Sequence, residues 1–350
     1  MAEAVTLWAP GLLNALRVKE ARESLAELSL PGLQTLLAKG DHFAVKPQNF
    51  HQQASYLFHQ PECLPIAATK ACIEVEGFDS SHFWLSVDPV QMIPDRDTLV
   101  LIPNRDLQIT EDESKQLLSS FNAHFAEDGV KLIWAGANHW YLSIVQPVDI
   151  HTTPLEKVAY QSVNEHYPTG NAAQYWRQLI NETQMLFYTH PVNEVRRDKG
   201  WPEINSVWVW GEGKIDLSKL LPRNDALIWS NNAYLQGMAK LTEAQSMPNI
   251  TTYQAWLDKI NEFKGSEKTK HFICLDEVVH DLDNLEMSEW IALLEQLEKE
   301  WFAPLVIALK QGVIDSLLLD LGQETRTHLK PSHLKRFWRF NKKLGNGYKS

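Results

Sequence analysis

Apolar residues recur with helical spacing in some segments of this chain and form short continuous runs in others. Short apolar runs bounded by glycine, proline or polar residues predict strands, among them VTLW near the N-terminus, FWLSVDPVQMI, DTLVLIP, VWVW, DALIWS, HFICLD and PLVIALKQG. Helical spacing predicts helices over residues 15–28, 30–40, 110–126, 170–190 and 286–300. Because strands alternate with helices after residue 152, we predict a mostly parallel sheet covered by helices on both faces.

The order of elements is different between residues 83 and 151. Two strands, a helix that begins with the capping box Thr110–Glu113, and the strands KLIWAG and HWYLSIV follow one another here. This order predicts a small α+β domain inserted at 83–151 into a core built from residues 1–82 and 152–325. Residues 326–350 are predicted to form a basic C-terminal helix or tail.

The stretch INSVWVWGEGK, residues 204–214, is apolar on both faces of its predicted strand and ends near Gly211 and Gly213. Such glycines allow a sharp exit or a close approach of backbone N–H groups to a ligand. Asp216 stands at the third glycine of a dinucleotide-binding pattern, and no Gly-Lys-Ser/Thr follows, so both phosphate-loop motifs are excluded. A core strand at the C-terminal edge of the parallel sheet is the remaining interpretation.

Charge is distributed unevenly along the chain. The formal net charge is −11, yet residues 326–350 contain eight Lys and Arg residues and no acid. The acidic remainder of the chain repels nucleic acid in general. PSHLKRFWRFNKKLG, residues 331–345, predicts a single helix between Ser332 and Gly345. Its apolar side either docks on the protein itself, binds a partner, or contacts nucleic acid or an anionic membrane.

The composition is otherwise that of a globular cytoplasmic protein. No apolar run approaches the length of a membrane span, and the N-terminus lacks the basic region of a signal peptide. Cys63, Cys72 and Cys274 show no zinc-like spacing and are predicted to be reduced thiols.

Three segments carry a family resemblance, in family order: FWLSVDPVQMIPDRD (83–97), NETQMLFYTHPVNEVRRDKGWPEINSVWVWGEGK (181–214) and LDEVVHDLD (275–283). The chain resembles the archaeal-type, cofactor-independent phosphoglycerate mutases of the alkaline-phosphatase superfamily, and most closely their bacterial RpfE-type regulatory branch. The resemblance implies an α/β fold with an alkaline-phosphatase-like, mostly parallel sheet flanked by helices. It also implies phosphoryl transfer by a serine nucleophile, two divalent metals and phosphate-binding arginines.

Several positions that carry this chemistry in the family hold other residues here. The first strand ends in Trp8-Ala9-Pro10-Gly11 where the family has Asp-Gly, and His51 or Gln52 occupies the place of the nucleophilic serine. The family's last metal-binding strand, which normally ends in Gly-Asp-His-Ser, reads LVIALKQG here, with Lys310 and Gln311 in place of the ligands. These losses predict that the active site is lost and that no catalytic residue remains.

A few candidate site residues are retained. Asp276 and His280 have i, i+4 spacing and form half of a site for a metal such as Mn or Zn, or else have local structural roles. Arg96 and Arg196 are the candidates for binding an anionic substrate, although Arg196 lies in a basic turn that could equally be a solvated surface.

The same turn contains His190, which is either a general base or a cap on the C-terminal end of the preceding helix. Asn193 and Asn205 flank the turn and are predicted to bind its backbone groups.

Two main function hypotheses follow. The first is a catalytically degenerate phosphoglycerate-mutase-like protein that needs no cofactor and regulates or binds a protein or a small anionic ligand. The alternative is an active metal-dependent phosphoglycerate mutase or phosphatase with a rearranged site that uses Asp276 and His280. Nucleic-acid binding through the basic tail is a third, lesser hypothesis.

Overall fold

The computed structural model describes residues 3–25, 28–46, 48–262, 269–276, 278, 285–322, 324–341 and 344. The strands are β1 (Glu3–Trp8), β2 (Asp41–Ala44), β3 (Phe83–Asp95), β4 (Thr98–Ile102), β5 (Leu132–Gly136), β6 (His139–Ile144), β7 (Ser206–Gly213), β8 (Ala226–Trp229), β9 (Gln245–Met247), β10 (Lys270–Cys274), β11 (Ile314–Asp320) and β12 (Thr325–Leu329). The helices are α1 (Lys19–Ser24), α2 (Pro31–Lys39), α3 (Phe50–Leu57), α4 (Ile66–Glu74), α5 (Glu111–His124), α6 (Leu155–Val158), α7 (Ala173–Tyr188), α8 (Pro191–Asp198), α9 (Ala233–Leu241), α10 (Tyr253–Glu262), α11 (Met287–Leu297) and α12 (Ala303–Gln311). Among the described residues, no helix is both long enough and apolar enough to cross a bilayer.

The chain divides into two compact units, one made of Met1–His59 with Leu221–Ser350 and the other of Gln60–Leu220. The first unit contains a seven-stranded sheet in the order β2-β12-β11-β1-β10-β8-β9. Strands β11, β1, β10, β8 and β9 are parallel, whereas β12 and β2 join one edge by antiparallel pairing. The predicted mostly parallel sheet is confirmed in this unit.

Alternate residues of the central strand point to opposite faces of this sheet. Val5 and Leu7 belong to a core that includes residues of α2, α10, α11 and α12. The other face carries Ala4, Thr6 and Trp8. A five-residue π-helical turn, Glu298–Phe302, joins α11 to α12, and the Glu298 carboxylate accepts hydrogen bonds from the first backbone N–H groups of α2.

The second unit is built on a five-stranded antiparallel sheet. Strand β3 pairs with β4, β6 and β7, and β6 pairs with β5. The predicted capping box is confirmed, because Thr110 and Glu113 exchange side-chain to backbone hydrogen bonds at the start of α5. The predicted insertion at 83–151 lies inside this unit, which also contains 60–82 and 152–220.

The assignment of residues 204–214 to the parallel sheet was wrong. Strand β7 pairs antiparallel with β3 in the second unit. Its aromatic side chains are buried as expected: the Trp208 indole N–H donates to the carbonyl of Thr153 at 2.9 Å, and the Trp210 indole N–H donates to the Asp88 carboxylate at 2.8 Å. The sequence pattern reveals burial on both faces, but it carries no information about which strand is the neighbour.

The prediction of a strand at 304–312 was also wrong, because these residues form α12. A short apolar run fits a buried helix as well as a buried strand. Pro304 occupies the first turn of this helix, and Gly312 ends it with a left-handed φ of 72°. Lys310 therefore lies in the last helical turn, and the following strand, β11, ends in Asp320.

The single helix predicted for residues 331–345 is not formed in the part that the structure describes. A 3₁₀ turn covers Pro331–Lys335, after which the chain is irregular. Arg336 and Arg339 donate to the carbonyl groups of Lys39 and Gly40 at the end of α2, and both bind the Asp41 carboxylate. These guanidinium groups satisfy carbonyls at the C-terminal end of α2 that have no partner within that helix. The contacts compete with formation of the predicted helix in the tail.

The contacts of the tail differ in part from the predicted docking of its apolar side. Its cations bind the first unit, whereas the aromatic side chains of Phe337, Trp338 and Phe340 are 80%, 61% and 77% exposed. Leu344, which is buried, and Leu334, which is partly buried, do pack against the core of the first unit.

Candidate functional site

The C-terminal edge of the parallel sheet is where ligands bind in open α/β folds. Strands β11, β1, β10 and β8 lie side by side and end at this edge. Their last residues, or the loops just after them, supply Asp320, Ala9, Asp276 and Ser230. This edge of the first unit is therefore the candidate site.

Asp276 follows β10 and is 9% exposed. Its carboxylate accepts a hydrogen bond from the Ser230 hydroxyl at 2.6 Å and another from the backbone N–H of Asn231 at 2.5 Å. Burial and the neighbouring Asp276 carboxylate raise the pKa of the Cys274 thiol well above its usual range. Both carboxylate oxygens of Asp276 thus hold the loop that follows β8, which is the structural role that was one of its two interpretations.

Asp320 ends β11 and is similarly engaged. Its carboxylate accepts a hydrogen bond from Arg326 Nε at 2.6 Å, within an ion pair whose two side chains are each 5% exposed. The backbone N–H of Gly322 lies 3.5 Å from the other oxygen. Sequence reasoning missed this pair, although an acid at the end of the apolar run IDSLLLD is a recognisable signal.

Strand β1 lies between these two carboxylates and ends in apolar residues. Trp8 is in register with Cys274 on one side and with Asp320 on the other. Its indole is fully buried and stacks on Phe50 with ring centroids 4.8 Å apart. The next residue, Ala9, is also fully buried, so the centre of this edge carries no ligating side chain.

The loops after β1 and β11 approach each other through their glycines. Gly11 and Gly322 have left-handed φ angles of 80° and 93°, and a Cβ atom on Gly322 would lie 2.9 Å from the Cα of Gly11. A small polar cavity of about 160 Å³ adjoins these loops and is lined in part by Lys46, Gln53 and Asp320.

The segment that stands in place of the family's serine forms α3. Gln52 completes a capping box with Asn49 at the start of this helix. His51 contacts the ring of Tyr234 edge-on at 4.6 Å, and Ser55 is 3% exposed with its hydroxyl 3.5 Å from the Tyr234 hydroxyl. The local sequence thus builds a helix start and a helix-packing contact here.

The predicted anion-binding residues lie on separate elements. Arg96 is exposed in the turn between β3 and β4, with a φ of 55°. Arg196 is 1% exposed and donates to Glu113, to the Pro202 carbonyl at 2.6 Å and to the Leu107 carbonyl. These contacts favour a structural cross-link for Arg196. A substrate role for Arg96 stays a prediction, and His280 lies outside the described residues.

The turn after α7 is held by polar side chains. The predicted backbone contacts are confirmed for Asn193, which bonds Phe187 and Ile204. Asn205 instead bonds the backbone of Met92 in β3. His190 does not cap the preceding helix with positive charge as expected. It is the N-cap of α8, where Nδ1 accepts from the N–H of Val192, and burial lowers its pKa.

A two-metal centre does not fit the side chains at the sheet edge. Asp276 and Asp320 each have protein partners, and Ala9, which follows the strand between them, is buried and has no ligating group. Within the described ranges, no group of three His, Cys, Asp or Glu side chains is placed to hold a metal ion. The residues present can position loops and border a small polar cavity.

No family model matches the sequence. A probable 2,3-bisphosphoglycerate-independent phosphoglycerate mutase of Geobacter sulfurreducens is 26% identical over 152 residues, which cover 43% of this chain and 37% of the relative. The 2,3-bisphosphoglycerate-independent phosphoglycerate mutase of Methanosarcina barkeri is 22% identical over 173 residues, covering 44% and 43%. The chain therefore spans less than half the length of either relative.

The PH0037 protein from Pyrococcus horikoshii has a similar structure, with a TM-score of 0.54 at 12% identity over 94% of this chain and 88% of that protein. The predicted fold class, α/β with an alkaline-phosphatase-like, mostly parallel sheet flanked by helices, is confirmed. Over less than half of its length, the chain shows distant homology to 2,3-bisphosphoglycerate-independent phosphoglycerate mutases.

Proposed function

We propose that this chain is a catalytically degenerate relative of phosphoglycerate mutase that acts as a cytoplasmic binding or regulatory protein, as its resemblance to the RpfE-type branch implied. The observation that carries the proposal is the position of Ala9. This buried, apolar residue follows β1, the strand between those that lead to Asp276 and Asp320, and it belongs to the segment Trp8-Ala9-Pro10-Gly11 that the resemblance sets against the family's Asp-Gly.

Phosphoryl transfer by two metals depends on cations that stabilise both the attacking and the leaving oxygen. For Asp276 to bind a metal, it would have to give up its bonds to Ser230 and Asn231. Asp320 would likewise have to leave Arg326, whose buried charge would lose its carboxylate partner. Catalytic groups of this kind act together, so loss of one commonly lowers the rate by several powers of ten.

Activity and metal content together test this proposal. The purified chain is incubated with 3-phosphoglycerate and Mn²⁺, Co²⁺ or Zn²⁺, conversion is followed by ³¹P NMR, and bound metal is measured by mass spectrometry. The M. barkeri mutase is the positive control. We expect no turnover and far less than one metal ion per chain. A turnover of about 1 s⁻¹ or more, within the usual enzyme range, would contradict the proposal.

The variant Asp276→Asn separates the two hypotheses further. In a binding protein it weakens the loop after β8 and lowers the melting temperature, with no catalytic rate to lose. In an active enzyme with a rearranged site it abolishes bound Mn or Zn together with turnover.

A further inference from the structure

The second face of the seven-stranded sheet borders a cavity of about 590 Å³. The side chains beneath it form two rows across four strands, Ala226–Lys270–Ala4–Ser316 and Ile228–Phe272–Thr6–Leu318. These rows belong to the beginning and the middle of the strands, so the cavity is not at the C-terminal edge of the sheet. Thr6 and Leu318 are only partly buried, although central strands of a parallel sheet are normally covered on both faces.

Arg326 reaches this cavity from β12. It is 4% exposed, and its Nε binds Asp320. Both terminal nitrogens, Nη1 and Nη2, are buried without a hydrogen-bond partner among the described residues. The ring of Tyr56 lies over the guanidinium at 4.2 Å. Buried charged donors are costly when they have no acceptor, so this group is built to receive one.

Further positive charge surrounds the cavity. Lys46, Arg223 and Lys270 line it, and none of its described lining residues is Asp or Glu. Asp225 offsets part of this charge, since it pairs with both Arg223 and Lys270. Burial, followed by the charges of Arg223 and Lys270, lowers the pKa of the His59 imidazole. Such a concentration of positively charged side chains is unusual in a chain whose net charge is −11.

We propose that the cavity binds a small organic anion with an apolar body. The anionic group accepts hydrogen bonds from Nη1 and Nη2 of Arg326, whose planar fork matches a carboxylate or phosphate. The apolar body lies on Ile228, Phe272 and Leu318. The volume falls within the range of small-molecule sites, about 300–1,000 Å³.

This inference names a class of ligand for the binding function proposed above. It does not depend on whether the sheet edge is catalytically inactive. Ligand binding and mutase activity are measured separately on the same protein, so either proposal can fail without the other.

Calorimetric titration of the full chain tests the site with three probes: sodium octanoate, octanol and inorganic phosphate. We expect octanoate to bind more tightly than either of the others, because only octanoate offers both an anion and an apolar chain. In Arg326→Gln, octanoate affinity should fall by about tenfold or more, since a charge-assisted bidentate contact is lost.

Two further variants keep the test decisive if Arg326→Gln unfolds. Lys46→Gln changes an exposed lining residue and should weaken octanoate binding about two- to threefold without changing the melting temperature. Lys310→Gln is the matched control, because Lys310 is exposed on α12, which belongs to the core on the opposite face of the sheet, and it should bind octanoate like the wild type.

Four results would overturn the proposal. Octanol binding as tightly as octanoate would remove the role of the arginine. Phosphate binding as tightly as octanoate would make this a site for small inorganic anions. Absence of octanoate binding by the wild-type chain, or unchanged affinity in a folded Arg326→Gln variant, would leave no organic-anion site.

Discussion

Substituting phenylalanine for each of the two tryptophans of β7 should have different energetic costs. Trp208 and Trp210 are 0% and 2% exposed, so each change removes buried ring atoms, and this loss of packing lowers the stability by about 1 kcal/mol. The Trp208 indole donates to a neutral carbonyl, whose loss costs about 0.5–1.5 kcal/mol. The Trp210 indole donates to the carboxylate of Asp88, which is 1% exposed, and loss of a bond to a charged group costs about 1.5–3 kcal/mol.

Trp210→Phe should therefore destabilise the second unit by about 1 kcal/mol more than Trp208→Phe. Urea unfolding combined with hydrogen exchange of the β3 and β7 amides measures this difference, because those amides report on the unit that contains both residues. Adding Asp88→Asn to Trp210→Phe should recover part of the loss, since no buried carboxylate remains. Equal costs for the two single variants, with no recovery in the double variant, would refute this reasoning.

Three further predictions concern other parts of the chain. His271 accepts two indole N–H bonds at Nδ1, and burial lowers its pKa to about 4, so the unfolded chain takes up this proton first. About 3 kcal/mol of stability should be lost as the pH falls from about 6.5 to about 4, and His271→Gln should remove that part of the pH dependence of unfolding. Deleting residues 331–350 removes buried Leu344 and should lower the melting temperature by about 4 °C or more; calorimetry that shows no change would mean that the docked tail contributes nothing. Arg196→Met leaves Glu113 without its buried partner and should cost about 3–5 kcal/mol in urea unfolding, whereas Arg197→Met, which changes a partly exposed pair, should cost about 1 kcal/mol or less.

The parts of the fold that depend on residues close together in the sequence could be predicted. The start of α5 is one example, because Thr110 and Glu113 are three residues apart and satisfy each other directly. The pairing of β7 could not be predicted, since its partner β3 lies more than 110 residues away and both candidate sheets would bury its tryptophans.

One misassigned element accounts for most of what was missed at the candidate site. When 304–312 is taken as the last strand, the sheet edge is placed at Lys310 and Gln311, and Asp320 lies beyond it. The observed strand ends at Asp320, eight residues after Gly312, and this brings the Asp320–Arg326 ion pair to the edge. The absence of a carboxylate at Ala9 was readable directly, because β1 was assigned correctly.

The place of β1 in the sheet also sets the order in which the chain can fold. Both neighbours of this N-terminal strand, β10 and β11, come from residues 270–320. The sheet of the first unit therefore cannot close during synthesis until residues 270–320 have left the ribosome. The second unit is continuous, so its strands can pair much earlier. We expect the first 59 residues to remain without their β-sheet partners until then. Pairing over such a long sequence separation slows folding, and meanwhile strand β1 is exposed to chaperones.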